Sequence, residues 1–99
     1  MAHKVRPTKT FVKKVVALNS WLEVEWGIKV ARVFQEKLEH TVSIIVEQPG
    51  IGSRSKKNET VRKLLVTKHN RLYYRITDTT IILLTLIDTR QHPKKNKYE

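Results

Sequence analysis

The alternation of apolar and polar residues divides the chain into a helical half and a strand half. Phe11, Val15, Leu18, Leu22 and Trp26 recur at spacings of 4, 3, 4 and 4, which places them on one stripe of an α-helix. Thr8 or Thr10 is positioned to cap it, and Lys9, Lys13 and Lys14 lie off the stripe. Gly27 breaks the pattern, because glycine takes the left-handed conformation that ends a helix at little steric cost. A second stripe of Ala31, Phe34, Leu38, Val42 and Ile45, at spacings of 3, 4, 4 and 3, predicts a helix from Ile28 to Glu47. Gln48-Pro49 closes it, since the residue before a proline is pushed out of the α region. A short connection between two such helices predicts an antiparallel pair, with both stripes facing a common sheet.

Beyond Val61 the period falls to two. In Val61–Thr67, Arg62, Leu64 and Val66 share one face and Val61, Lys63 and Leu65 the other. Neither face is purely apolar, which predicts an edge strand or a bulge. In Asn70–Ile76 the pattern is cleaner: Arg71, Tyr73 and Arg75 alternate with Leu72, Tyr74 and Ile76. The cations are therefore expected on the sheet face away from the helices, and the other three residues beneath them. Thr77-Asp78-Thr79-Thr80 reads as a turn. Ile81 to Ile87 is apolar except for Thr85, which predicts an interior strand buried on both sides. The chain leaves it through Asp88-Thr89-Arg90-Gln91-His92-Pro93, a course that brings Arg90 and His92 near the row of Arg71 and Arg75. Ile51–Thr60 reads as a loop whose Arg54, Lys56 and Lys57 suit phosphate, without the spacing of a Walker loop. The segment from Pro93 to Glu99 is rich in Lys and Asn and is expected to fray.

Composition narrows the function classes. A length of 99 residues predicts one domain over 1–99, burying roughly 60–65% of its unfolded surface. There is no cysteine, so disulfides and cysteine metal sites are excluded and a reducing compartment is favoured. No apolar run approaches membrane-spanning length and no signal-peptide core is present, which predicts a cytoplasmic protein without a membrane partner. No cofactor or metal site is expected. Net charge is +11, unevenly spread: residues 1–49 hold eight Lys/Arg and five Asp/Glu, residues 50–99 twelve and four. The second half thus carries +8 and favours a polyanionic partner, nucleic acid or acidic protein.

R-L-Y-Y-R-I-T-D, the apolar strand after it, and D-T-R-Q-H-P-K-K together resemble the RelE/ParE superfamily of toxins from type II toxin–antitoxin (plasmid stabilization) systems. The helical hairpin ending in E-Q-P-G-I-G-S and the basic strand V-R-K-L-L-V fit the same pattern, so the likeness covers roughly Val5 to Lys97. It implies an α+β fold in the order β-α-α-β-β-β, an antiparallel sheet packed on one face by a helical hairpin. A short first strand around Val5 would lie beside the last, with Val61–Thr67 at the other edge. The resemblance also implies an acidic antitoxin as partner and growth arrest as the outcome. It leaves two targets open: ribosome-dependent mRNA cleavage, or non-hydrolytic poisoning of DNA gyrase. A small ribosome-associated RNA-binding module and an inactivated toxin are further alternatives.

RNA cleavage through a 2′-hydroxyl needs activation of that hydroxyl, cations around the phosphorane and a proton for the leaving oxygen. The chain offers Arg71 for the phosphate, Arg90 for developing charge, His92 for proton transfer and Tyr98 for stacking or donation. Arg62, Lys63, Tyr73 and Arg75 are the accompanying nucleic-acid contacts, the guanidinium forks suiting phosphate and the tyrosine suiting an unpaired base. Carried over residue by residue, the ribonuclease branch's lysine pair falls on Arg62 and Leu64, with Lys63 as a substitute. Its basic pair after the last strand falls on Arg90 and Gln91. Two cations are thus missing. Pro49-Gly50-Ile51-Gly52-Ser53-Arg54 resembles the gyrase branch instead.

Overall fold

A computed structural model describes residues 3–91 and 96–99. Strand β1 (Lys4–Pro7) leads into helix α1 (Lys9–Trp26), and Gly27 alone separates α1 from α2 (Ile28–Glu47). Gly27 has φ +95°, a conformation that a side chain would strain, so one residue reverses the chain. Thr8, not Thr10, is the cap: its Oγ1 accepts from the Phe11 N–H at 3.0 Å. The same hydroxyl donates to the Leu84 carbonyl at 2.8 Å, tying the start of the helix to the sheet. A 3-10 turn (Pro49–Ile51) follows α2. Then come β2 (Ser53–Arg54), β3 (Val61–Thr67), β4 (Asn70–Ile76) and β5 (Thr80–Asp88).

The five strands form one sheet in the order β1-β5-β4-β3-β2. Strands β2 to β5 pair antiparallel. The expectation of a wholly antiparallel sheet needs one correction, because β1 runs parallel to β5 with Val5 opposite Ile81. No hairpin joins those two strands, so no tight turn dictates their relative direction. The expected loop at Ile51–Thr60 contains β2, whose two residues cover Lys63 and Arg62 of β3. Only the remainder of β3 forms that edge. Among the described residues two bulges occur, one in β3 at Val66 and one in β5 at Leu84. The bulge in β5 explains why its helix-facing residues Ile81, Leu83 and Leu86 are spaced by two and then by three. The Thr8 hydroxyl satisfies the bulged residue's carbonyl.

The main core lies between helices and sheet. Phe11, Phe34, Leu38 and Ile45 meet Leu72, Tyr74, Ile81, Leu83 and Leu86. Both predicted stripes face this core, except that Trp26 is 65% exposed. It sits in the last turn before Gly27, at the hairpin tip, where no described residue covers it fully. No helix among the described residues is long and apolar enough to cross a membrane.

Candidate binding site on the open sheet face

The register settles which residues share the face opposite the helices. Val61 lies opposite Arg75, Lys63 opposite Tyr73, and Leu65 opposite Arg71. Ile87 and Thr85 extend the rows from β5. Arg71, Tyr73 and Arg75 therefore occupy the face expected of them, and Leu72 and Tyr74 are fully buried on the other. The expectation of an uncovered aromatic is not met: Tyr73 has no exposed surface. With Val61 and Tyr98 it forms a second, smaller cluster, flanked by Leu84 and Ile87.

The cover is the segment Asn96–Glu99. Expected to fray, these four residues lie down on the open face instead. The Tyr98 ring stacks on Tyr73 with centroids 5.1 Å apart and planes inclined by 23°. The Asn96 amide donates to the Tyr73 hydroxyl at 2.9 Å, and that hydroxyl donates to Glu99 Oε1 at 3.1 Å. Lys63 Nζ forms an ion pair with the same carboxylate. Ser55 Oγ donates to the Tyr98 carbonyl, to which the Lys57 N–H also donates at 3.4 Å. Lys57 Nζ reaches the Asn96 carbonyl at 3.2 Å. Burial works against ionisation of Glu99, but the bonds from Lys63 and Tyr73 outweigh it and hold its pKa below the usual carboxylate value. The segment was missed because its residues carry no apolar period. The only signal was an Asn and a Tyr standing in a run of Lys.

The other candidates disperse. Arg71 borders a shallow hollow with Ile51, Ser53, Lys63, Leu64 and Leu65. Arg75 Nε donates to Thr60 Oγ1 at 3.2 Å. Arg62 turns toward the helix-side rim, where its NH1 donates to the carbonyls of Gly52 at 2.7 Å and Gly50 at 3.2 Å. There it braces the turn after α2 rather than facing a ligand. Tyr74 completes that brace: its hydroxyl donates to the Pro49 carbonyl at 2.6 Å and accepts from the Gly52 N–H at 2.9 Å. Burial raises the Tyr74 pKa, opposed by the bond from Gly52. A Cβ on Gly52 would sit 2.6 Å from that hydroxyl and 2.7 Å from the Lys63 carbonyl, so the close approach requires glycine.

Arg90 and Arg71 border different hollows. Arg90 lines a cleft of about 470 Å³ with Leu18, Trp21, Leu22, Trp26 and His69 on the helix side, which shares no lining residue with the hollow beside Arg71. Its guanidinium is taken by Asp88, through NH2 to Oδ2 at 2.7 Å and Nε to Oδ1 at 3.0 Å. That bond lowers the Asp88 pKa to about 2 and raises that of Arg90. The reason is local: a carboxylate two residues away closes a bidentate pair more easily than a distant anion. His92, also a candidate, lies outside the described residues.

The family model described as the ParE toxin of the type II toxin–antitoxin system parDE matches residues 5–93. The chain belongs to the ParE toxin family. It is accordingly a toxin of the type II kind. Among solved structures, one of a chromosomal ParDE system from P. aeruginosa superposes with TM-score 0.74 at 16% identity, covering 88% of this chain and 96% of that one. The toxin–antitoxin complex RelBE2 from Mycobacterium tuberculosis gives TM-score 0.65 at 20% identity, with 89% and 99% covered. Isolated E. coli RelE gives 0.63 at 15%, with 95% and 92% covered. At these identities the likeness establishes a shared fold. The comparison with curated proteins returns no match. The ParE match ends at residue 93, so the segment that covers Tyr73 lies beyond the matched part of the chain.

Proposed function

We propose that this ParE-family toxin arrests growth by binding and poisoning DNA gyrase rather than by cutting messenger RNA, and that an acidic antitoxin restrains it. The observation that carries this reading is that Arg71 and Arg90 border different hollows and that Arg90 is already paired with Asp88. In-line attack by a 2′-hydroxyl gains its rate from groups held around a single phosphate. Here Arg71 borders the open-face hollow, while Arg90 is clamped by Asp88 beside α1. Tyr98 is committed to Tyr73, and Arg62 to two backbone carbonyls. The family match and the braced Pro49–Arg54 turn support the same reading. The antitoxin reading is supported by net charge +11 and by related folds seen in toxin–antitoxin complexes.

Inducible expression without an antitoxin, with separate readouts of DNA supercoiling and mRNA integrity, tests this. The expected result is DNA breaks with intact mRNA, and full toxicity in the Arg71→Ala, His92→Ala double mutant. A ribonuclease would instead lose about 100- to 1,000-fold in rate with Arg71 and about 100- to 10,000-fold with a general acid or base. Loss of toxicity in a folded double mutant, accompanied by cleaved mRNA in the parent, would sink the proposal.

A further inference from the structure

The groups that hold Asn96–Glu99 are those that recognise a peptide. Ser55, Lys57, Lys63 and Tyr73 come from the β2–β3 loop, β3 and β4, and between them they contact two carbonyls, a ring and a carboxylate of the segment. Ser55 Oγ and the Lys57 N–H take the Tyr98 carbonyl, and Lys57 Nζ takes the Asn96 carbonyl. Tyr73 takes the aromatic ring, and Lys63 takes the carboxylate. The segment has a compact shape of its own, since the Asn96 side chain accepts from the Tyr98 N–H at 2.9 Å and its carbonyl from the Glu99 N–H at 3.1 Å. The receiving surface is built rather than incidental, for Ser55 is 4% and Tyr73 0% exposed. Two backbone carbonyls, a ring and a carboxylate at fixed spacing describe an acidic, tyrosine-bearing peptide.

We infer that the open sheet face carries a docking site for a peptide of the form Asn-x-Tyr-acid, and that Asn96–Glu99 occupies it in cis. The occupant neutralises Lys63 within the half of the chain that carries most of the positive charge. A partner protein's acidic segment of the same form has to displace it. The site does not depend on which cellular target the toxin attacks.

The test removes residues 96–99, checks the fold by circular dichroism, and titrates the capped peptide Asn-Lys-Tyr-Glu while following the amide resonances of Lys57, Lys63 and Tyr73. Saturable binding is expected, at least tenfold weaker in the full chain, where the site is filled. Peptides carrying Tyr98→Ala or Glu99→Gln should each bind several-fold more weakly. A single-stranded oligonucleotide of matched charge should not displace the peptide. A folded, shortened protein that ignores the peptide, or that releases it to the oligonucleotide, overturns the inference. Should the shortened protein not fold, the full chain with Tyr98→Ala and Glu99→Gln takes its place. Hydrogen exchange at the Lys57 amide should then rise about tenfold or more while the amides of β4 and β5 stay protected, and an unchanged Lys57 amide overturns it equally.

Discussion

Tyr73 and Tyr74 are neighbours on one strand, face opposite sides of the sheet, and are both wholly buried. They are buried by different means. Two helices and a braced turn enclose Tyr74, and its hydroxyl bonds to backbone at both Pro49 and Gly52. Four residues from one end of the chain enclose Tyr73, and its hydroxyl bonds to the side chains of Asn96 and Glu99. The first cover cannot leave without unfolding the protein. The second can leave with the sheet intact, because no sheet hydrogen bond depends on it. Full burial therefore marks a core on one face and an occupied surface on the other.

The sharpest way to break this comparison is to remove a side chain from each face. Leu72→Ala opens a cavity beneath α1 and α2 and should lower stability by about 2–5 kcal/mol. Tyr98→Ala removes one stacked ring, worth about 1 kcal/mol beyond the area it buries, and should cost less than Leu72→Ala because the segment that carries it can close over the gap. Chemical denaturation of the two variants checks both. A Tyr98→Ala penalty equal to that of Leu72→Ala would mean that the open-face cluster belongs to the core.

The two faces also differed in how far the sequence revealed them. The stripes on Phe11–Leu22 and Ala31–Ile45, the break at Gly27 and the alternation along β4 follow from local period and sterics, and the structure repeats them. What escaped was set by partners elsewhere in the chain. Burial of Tyr73 depends on a segment with no apolar pattern. The placement of Arg90 turned on Asp88, whose carboxylate competes with any phosphate for the guanidinium. Arg62 reads as a free cation until the carbonyls of Gly50 and Gly52 are seen beside it. Trp26 continues a helical stripe past the end of the sheet it would have covered.

A second and smaller effect is acid release of the open-face cover. The Glu99 carboxylate faces Lys63 from β3 and the Tyr73 hydroxyl from β4, with the Lys56 backbone N–H on the loop side. Its pKa is depressed in the folded state, so its contribution is complete above the ordinary glutamate range. That contribution fades as pH falls through the depressed value. Exchange at the Lys57 amide, corrected for its intrinsic pH dependence, should accelerate over that acid window while the β4–β5 amides do not follow. In Glu99→Gln the acid-dependent step should vanish. An equal step in both proteins would remove Glu99 from the account.

The smallest effect is expected at Arg90. Its pair with Asp88 is the best-formed ion pair by geometry, yet both side chains are largely exposed, at 65% and 44%. Exposed pairs contribute little to folding because water screens the attraction and both side chains lose freedom in forming it. Arg90→Ala should therefore leave the denaturation midpoint nearly unchanged. It should still return the Asp88 carboxyl from about 2 toward the ordinary aspartate range, because its largest cause, the bond from the guanidinium, is gone. Carboxyl titration followed by NMR measures that shift directly. Toxicity should survive, since the proposed gyrase poisoning asks no phosphate contact of Arg90. A folded Arg90→Ala protein that no longer arrests growth would show that Arg90 leaves Asp88 when the target binds and contributes to the toxic contact.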